Sequence, residues 1–182
     1  MPGGEEAADI RQFLTFLSCG ELYALDILHI REIIQSGDMT VVPMMPAFVR
    51  GVINLRGKVV PVIDLARRFG QGATVPARRT SIVIVEVSDD DDDDDEQHQL
   101  LGIMVDAVSE VIDVSPADIT PPPLFGTRIR ADFIGNMARR GDRFLPVLTL
   151  PAVLSHKELA GEEVLAGIAE AASAEPVSEE RG

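Results

Sequence analysis

The sequence predicts a mainly β protein made of two related small β-barrel lobes and a C-terminal helical tail. Three observations carry this. Val, Ile and Leu are plentiful, whereas only 4% of residues are aromatic and Trp is absent, a balance that favours short β-branched strands over a helical bundle. Glycine (15) and proline (12) are spread along the chain and cut it into short runs, the density expected of small barrels. The chain also repeats itself, with the same three motifs in the same order in each half.

Residues 1–9, MPGGEEAAD, read as a flexible lead with no apolar signal segment. Phe13 to Ser18 forms a short strand with both faces largely apolar, and Cys19-Gly20-Glu21 forms a turn. Further strands are expected at about 22–27, 30–35, 51–56, 58–65, 81–87, 100–106 and 143–150. Single helical turns are expected at Pro46–Arg50 and Ala66–Phe69. Ser155 and Glu158 fit a capping box that opens an Ala- and Glu-rich helix running to about Ala172, and the acidic end beyond it frays.

The repeat aligns LYALDILHIREII (22–34) with LLGIMVDAVSEVI (100–112), placing Ala24 on Gly102, Ile30 on Val108, Glu32 on Glu110 and Ile33 on Val111. A proline-rich loop follows each copy, VVPMMP at 41–46 and TPPPL at 120–124. GVINLRGKVVPVIDL (51–65) then matches GNMARRGDRFLPVLTL (135–150), which has one extra residue before its proline. In this alignment Arg140 falls on Arg56 and Ala138 on Asn54. The expected division is one domain at 10–155, with lobe 1 at about 20–80 and lobe 2 at about 81–150 plus the N-terminal strand, followed by the tail at 156–182. Neither lobe is long enough for a generous core, so the two should share an interface.

Charge and motifs exclude several functions. Eight of the acidic groups behind the net charge of −14 lie in Asp89–Glu96, and the acidic surface repels phosphate backbones. A nucleic-acid-binding barrel needs aromatic platforms in a basic groove, and the basic pairs Arg67-Arg68, Arg78-Arg79 and Arg139-Arg140 are isolated. That function remains the runner-up from another class, separable by a gel-shift assay across salt concentrations. The aspartate run lacks the central glycine and terminal glutamate of an EF-hand, so it reads as a solvated hairpin tip that folding does not require. Cys19 is the only cysteine, leaving no disulfide framework or Cys-based zinc site. His29, His98 and His156 have no nucleophile or metal-ligand partner at useful spacing. Asp64 in PVID resembles a phosphorylatable aspartate but lacks the upstream acidic pair that Mg²⁺ would need. No catalytic residue, metal site or cofactor is expected. Protein recognition remains, with Met44-Met45 either plugging a barrel end or presenting an adaptable apolar contact. No run approaches a membrane span, and the expected location is cytoplasmic.

FLTFLSCGELYALDILHIREII, PAFVRGVINLRGKVVPVIDLARRFG and LLGIMVDAVSEVI, with PPP after it, resemble the CheW-type chemotaxis coupling proteins over about residues 12–155. N-L-R-G followed by V-V-P-V-I-D-L is the specific part. The resemblance implies two intertwined five-stranded SH3-like barrels and an adaptor without catalytic activity. Its implied partners are the regulatory domain of a CheA-type histidine kinase and the cytoplasmic tip of methyl-accepting receptors, with recruitment to membrane receptor arrays. It implies that Arg56 is the receptor-coupling arginine, with Glu32 paired to it, Ile30 a neighbouring apolar contact, and Asn54 and Gly57 part of the same partner-binding site. The same adaptor fold could instead serve a non-motility pathway such as surface sensing or pilus control. The aspartate run, the Ala/Glu tail, His29 and Met44-Met45 depart from the family pattern.

Overall fold

A computed structural model describes residues 10–88, 98–122 and 129–154. The expected N-terminal lead, the aspartate run, the Ser155–Glu158 capping box and the tail helix lie outside the described residues. Among the described residues, eleven strands are arranged in two sheets: β1 (Arg11–Ser18), β2 (Glu21–Asp26), β3 (Ile30–Gln35), β4 (Val49–Leu55), β5 (Lys58–Asp64), β6 (Ser81–Ser88), β7 (His98–Val105), β8 (Ala107–Val114), β9 (Ile119–Thr120), β10 (Ile134–Arg140) and β11 (Arg143–Leu148). Two four-residue helices, α1 (Leu65–Arg68) and α2 (Leu150–Val153), follow β5 and β11. The protein is mainly β, as the sequence predicts. Helix was also expected at Pro46–Arg50. There the Val49 N–H donates to the Pro46 carbonyl in a single turn, and β4 begins at Val49 because that residue pairs with Ile63.

One sheet runs β8-β1-β2-β11-β10-β9 and the other β3-β6-β7-β5-β4. Strands 81–105 therefore share a sheet with β3, β4 and β5, and β2 belongs to the other sheet, so a cut at residue 80 does not separate the sheets. The links explain why. Between β2 and β3 a 3-10 turn, Ile27–His29, carries the chain from one sheet to the other. Between β7 and β8 the single residue Asp106 does the same. Each half of the chain is thus split between the sheets: β1 and β2 lie with β8 to β11, and β3 to β5 lie with β6 and β7, with β3 on β6 and β8 on β1. The arrangement is intertwined, as the family resemblance implies. The sixth strand, β9, has only two residues, and in the other sheet its place is taken by the isolated bridge Thr40↔Val52.

The repeat read from sequence is present in the register. Val62 pairs in parallel with Gly102, and Val147 pairs in parallel with Ala24. These are the Pro-Val valines and the Ala24/Gly102 match. A small residue suits Gly102 because both neighbouring strands lie close: a Cβ there would stand 2.8 Å from Ile82 Cγ2 on β6 and 3.3 Å from Val62 Cγ2 on β5.

The core follows the same symmetry. Phe13, Ala24, Ile112, Ala138 and Val147 fill one barrel, and Val60, Val62, Ile82, Ile84 and Met104 fill the other. A larger cluster joins them, with Leu14, Phe16, Tyr23 and Leu25 from one sheet meeting Ile63, Val83, Val85 and Ile103 from the other. The rings of Phe16, Tyr23, Phe69 and Phe133 run through it with centroid spacings of 6.2, 5.2 and 5.6 Å. The expected shared interface is the largest part of the core, because a barrel of this size leaves one face of its sheet to be buried elsewhere.

Candidate functional site

The β4–β5 hairpin closes at Leu55↔Lys58, leaving Arg56 and Gly57 as its two turn residues. Their φ values are 53° and 85°. Positive φ at both central positions is the type I′ geometry, whose twist matches that of the flanking strands. Gly57 takes it without strain, whereas Arg56 is one of three described non-glycine residues with positive φ. The Asn54 side-chain oxygen accepts the Gly57 N–H at 2.9 Å. Asn54 therefore clamps the turn, and its side-chain oxygen faces inward to the backbone.

Arg56 is held from the other side by Glu32. Arg56 Nη2 donates to Glu32 Oε2 at 3.3 Å, with the arginine side chain 80% exposed and the glutamate 27%. Glu32 reaches this position through a bulge in β3, where the pairing with β6 skips Arg31 between Ile30 and Glu32. A bulge re-aims the side chains beside it. Arg31, left exposed, pairs with Glu86 on β6. Ile30 is half-buried and packs against the shared core, and Gly57 is exposed. The structure thus brings Glu32, Asn54, Arg56 and Gly57 together at one hairpin tip and gives Ile30 a mainly packing role.

Around this tip lies a cavity of about 490 Å³, lined by Arg31, Glu32, Leu55, Arg56, Lys58, Glu86 and Leu100. Arg31, Leu55, Lys58, Glu86 and Leu100 were not singled out from sequence. The only signal for them there is adjacency to REII and NLRG, since their convergence depends on the β3–β6–β7 register.

The second copy carries a counterpart. Glu110, aligned with Glu32, forms an ion pair with Arg140 at 3.3 Å, and β8 is likewise bulged opposite β1, between Leu14 and Phe16. Thr15 fills that irregularity, its hydroxyl donating to the Glu110 carbonyl at 2.8 Å and accepting the Glu110 N–H at 3.1 Å. The backbone equivalence differs from the sequence alignment by one residue. Arg140↔Arg143 closes the second hairpin, so Arg140 occupies the place of Leu55, and Gly141, with φ 63°, occupies that of Arg56. Both hairpins skip one residue at the same place, Arg50 in β4 and Gly135 in β10, so they are equally long and the extra residue of the sequence alignment has no counterpart in the structure. Arg139, not Ala138, therefore stands at the place of Asn54.

Asp64 of PVID has no exposed surface. It accepts from the Thr74 hydroxyl at 2.6 Å, the Thr74 N–H at 3.0 Å, the Ala66 N–H at 3.1 Å and Arg50 Nη1 at 3.1 Å. A carboxylate so enclosed is closed to an incoming phosphoryl group and acts as the cap of α1. His29 is exposed beside Leu28 on the 3-10 turn. The two methionines differ: Met44 is fully exposed with φ 62°, and Met45 packs against Val42 and Val52. No group of His, Cys, Asp and Glu among the described residues could hold a metal ion. No described helix is long and apolar enough to cross a membrane.

Comparisons with known proteins agree with the fold. Residues 12–158 match the model of the CheW-like domain. The chain is 36% identical over 152 residues to the chemotaxis protein CheW of Treponema pallidum, covering 81% of this chain and 84% of that one. It is 30% identical over 150 residues to CheW of Klebsiella aerogenes, covering 82% and 85%. The crystal structure of the scaffolding protein TtCheW from Thermoanaerobacter tengcongensis superposes with a TM-score of 0.70 at 34% identity, covering 81% of this chain and 90% of that one. With a duplicated, strand-exchanged barrel and an N-L-R-G turn held by Asn54 and Glu32, the chain belongs to the CheW-like domain family.

Proposed function

We propose that this protein is a non-catalytic adaptor of chemotaxis signalling. It couples the cytoplasmic tip of methyl-accepting receptors to the regulatory domain of a CheA-type histidine kinase, working in the cytoplasm at membrane receptor arrays. The observation that carries the proposal is the exposed Arg56, held in a fixed direction by a left-handed turn, the Asn54 clamp and the Glu32 ion pair. A long cation kept in one conformation loses little entropy on docking and so sets orientation as well as affinity. Membership of a family that includes a scaffolding protein supports the adaptor role. Because Arg56 is exposed, its replacement should leave the fold intact.

The test is reconstitution of a receptor–kinase–adaptor complex from purified components. Arg56→Glu should abolish receptor coupling while the thermal unfolding curve is retained. The exchange Glu32→Arg with Arg56→Glu should restore part of the coupling if the two residues act as a pair. Normal complexes with Arg56→Glu alone would remove Arg56 from the site.

A further inference from the structure

We infer that the cavity beside the Glu32–Arg56 pair is a specificity pocket for an apolar side chain flanked by a carboxylate on the partner, and that Lys58 reads the carboxylate. The inference rests on the adaptor reading above and adds to it the chemistry of the docking segment.

Three cations and two carboxylates line the cavity of about 490 Å³. Arg56 is engaged by Glu32, and Arg31 by Glu86. That leaves Lys58, which is exposed and has no ionic partner among the described residues. Its position is fixed, because Leu55↔Lys58 is the closing pair of the hairpin and cross-strand partners project to the same face of the sheet. Lys58 therefore lines the cavity from the same face as Leu55. Leu100, opposite Glu86 in the β6–β7 ladder, supplies the second apolar wall. Both leucines are half-buried and pack against the core of this barrel, so the apolar walls are firm.

The result is an apolar floor under a rim whose ion pairs cancel except for one cation, on a protein with a net charge of −14. A partner segment with an apolar residue next to Glu or Asp fills the floor and neutralises Lys58. A segment with Lys or Arg at that place meets a like charge on entry, which makes the pocket selective by repulsion as well as attraction.

The experiment is calorimetric titration of the full chain with the purified cytoplasmic hairpin fragment of a methyl-accepting receptor, at low and high salt. Lys58→Glu should weaken binding about tenfold at low salt and flatten its salt dependence. Lys58→Arg should bind like the wild type. Unchanged affinity in Lys58→Glu, together with loss of binding in Arg56→Glu, overturns the pocket and leaves the adaptor reading standing. Tighter binding in Lys58→Gln also overturns the pocket, since it would mean that acidic residues of this chain occupy Lys58. A wild-type chain that does not bind the fragment overturns both.

Discussion

Arg56 has a backbone conformation that a glycine would take without strain, and an L-residue with φ near 53° gives up about 1 kcal/mol. Its side chain is therefore retained for something other than folding. Arg56→Gly should leave thermal stability equal to or above that of the wild type while receptor coupling is lost, a pairing of outcomes that no purely structural role produces. Asn54→Ala should lower stability by about 1 kcal/mol through loss of the cap on Gly57. In the same variant, salt-dependent contacts of Arg56 should weaken as the turn loosens. Asp64 is legible in sequence only as a strand-end carboxylate, because its donors come from residues 50, 66 and 74, which no local pattern links. Asp64→Ala should cost about 2–4 kcal/mol, measured by denaturant unfolding, since it leaves the buried Thr74 and Ala66 donors unpaired and takes the carboxylate from half-buried Arg50. Burial pushes the Cys19 thiol above its ordinary pKa, and the nearby Asp106 carboxylate adds to the effect. The thiolate is the reactive form, so Cys19 should be alkylated at neutral pH more slowly than a free thiol.

At the scale of the element, the two hairpins show how far a repeat in sequence can be read. The glycines six apart align in the sequence, yet they do different work. A Cβ on Gly51 would stand 2.6 Å from the Thr40 carbonyl oxygen, which accepts the Val52 N–H at 2.8 Å. At Gly135 the nearest atom to such a Cβ is 3.4 Å away. Gly51→Ala should therefore destabilise by about 1–3 kcal/mol through displacement of the Thr40 bridge, whereas Gly135→Ala should cost less by the same denaturant measurement. The alignment of Arg140 with Arg56 rests on the local string R-G. The register overrules it: the skipped residues Arg50 and Gly135 are equivalent, so each position of the second hairpin up to the turn matches one residue earlier in the first than that string suggests. Even so, the second arginine finds Glu110, since a side chain as long as arginine's can cross one residue of offset. Strand positions were legible because the β-branched runs end at Gly, Pro or acidic residues. The turn expected to be helical over Pro46–Arg50 gives way to β4 from Val49, because a five-residue window cannot reveal that Val49 pairs with Ile63.

For the whole molecule, the decisive feature is that each half of the chain crosses between the sheets, β3 to β5 joining β6 and β7 and β8 to β11 joining β1 and β2, which makes the largest core cluster common to both halves. Calorimetric unfolding should therefore be a single transition with matching calorimetric and van't Hoff enthalpies, not two lobe transitions. Arg68 of α1 strengthens the union. Its guanidinium donates to the carbonyls of Val153 at 2.7 Å and Ala152 at 2.9 Å at the end of α2, and lies 4.9 Å from the ring of Phe48 and 4.7 Å from that of Phe133. Arg68→Ala should lower the midpoint of that one transition without splitting it. By itself, the amino-acid sequence determined the β class, the duplication, the N-L-R-G turn and the partnership of Glu32 with Arg56 implied by the family likeness. These are written in local periodicity and in strings that recur. Only the tertiary structure decided which strands share a sheet, that Asn54 serves the turn, and that Arg31, Lys58 and Leu100 meet beside Arg56. Those facts depend on register between strands distant in sequence, and register is set by the packing of the whole core.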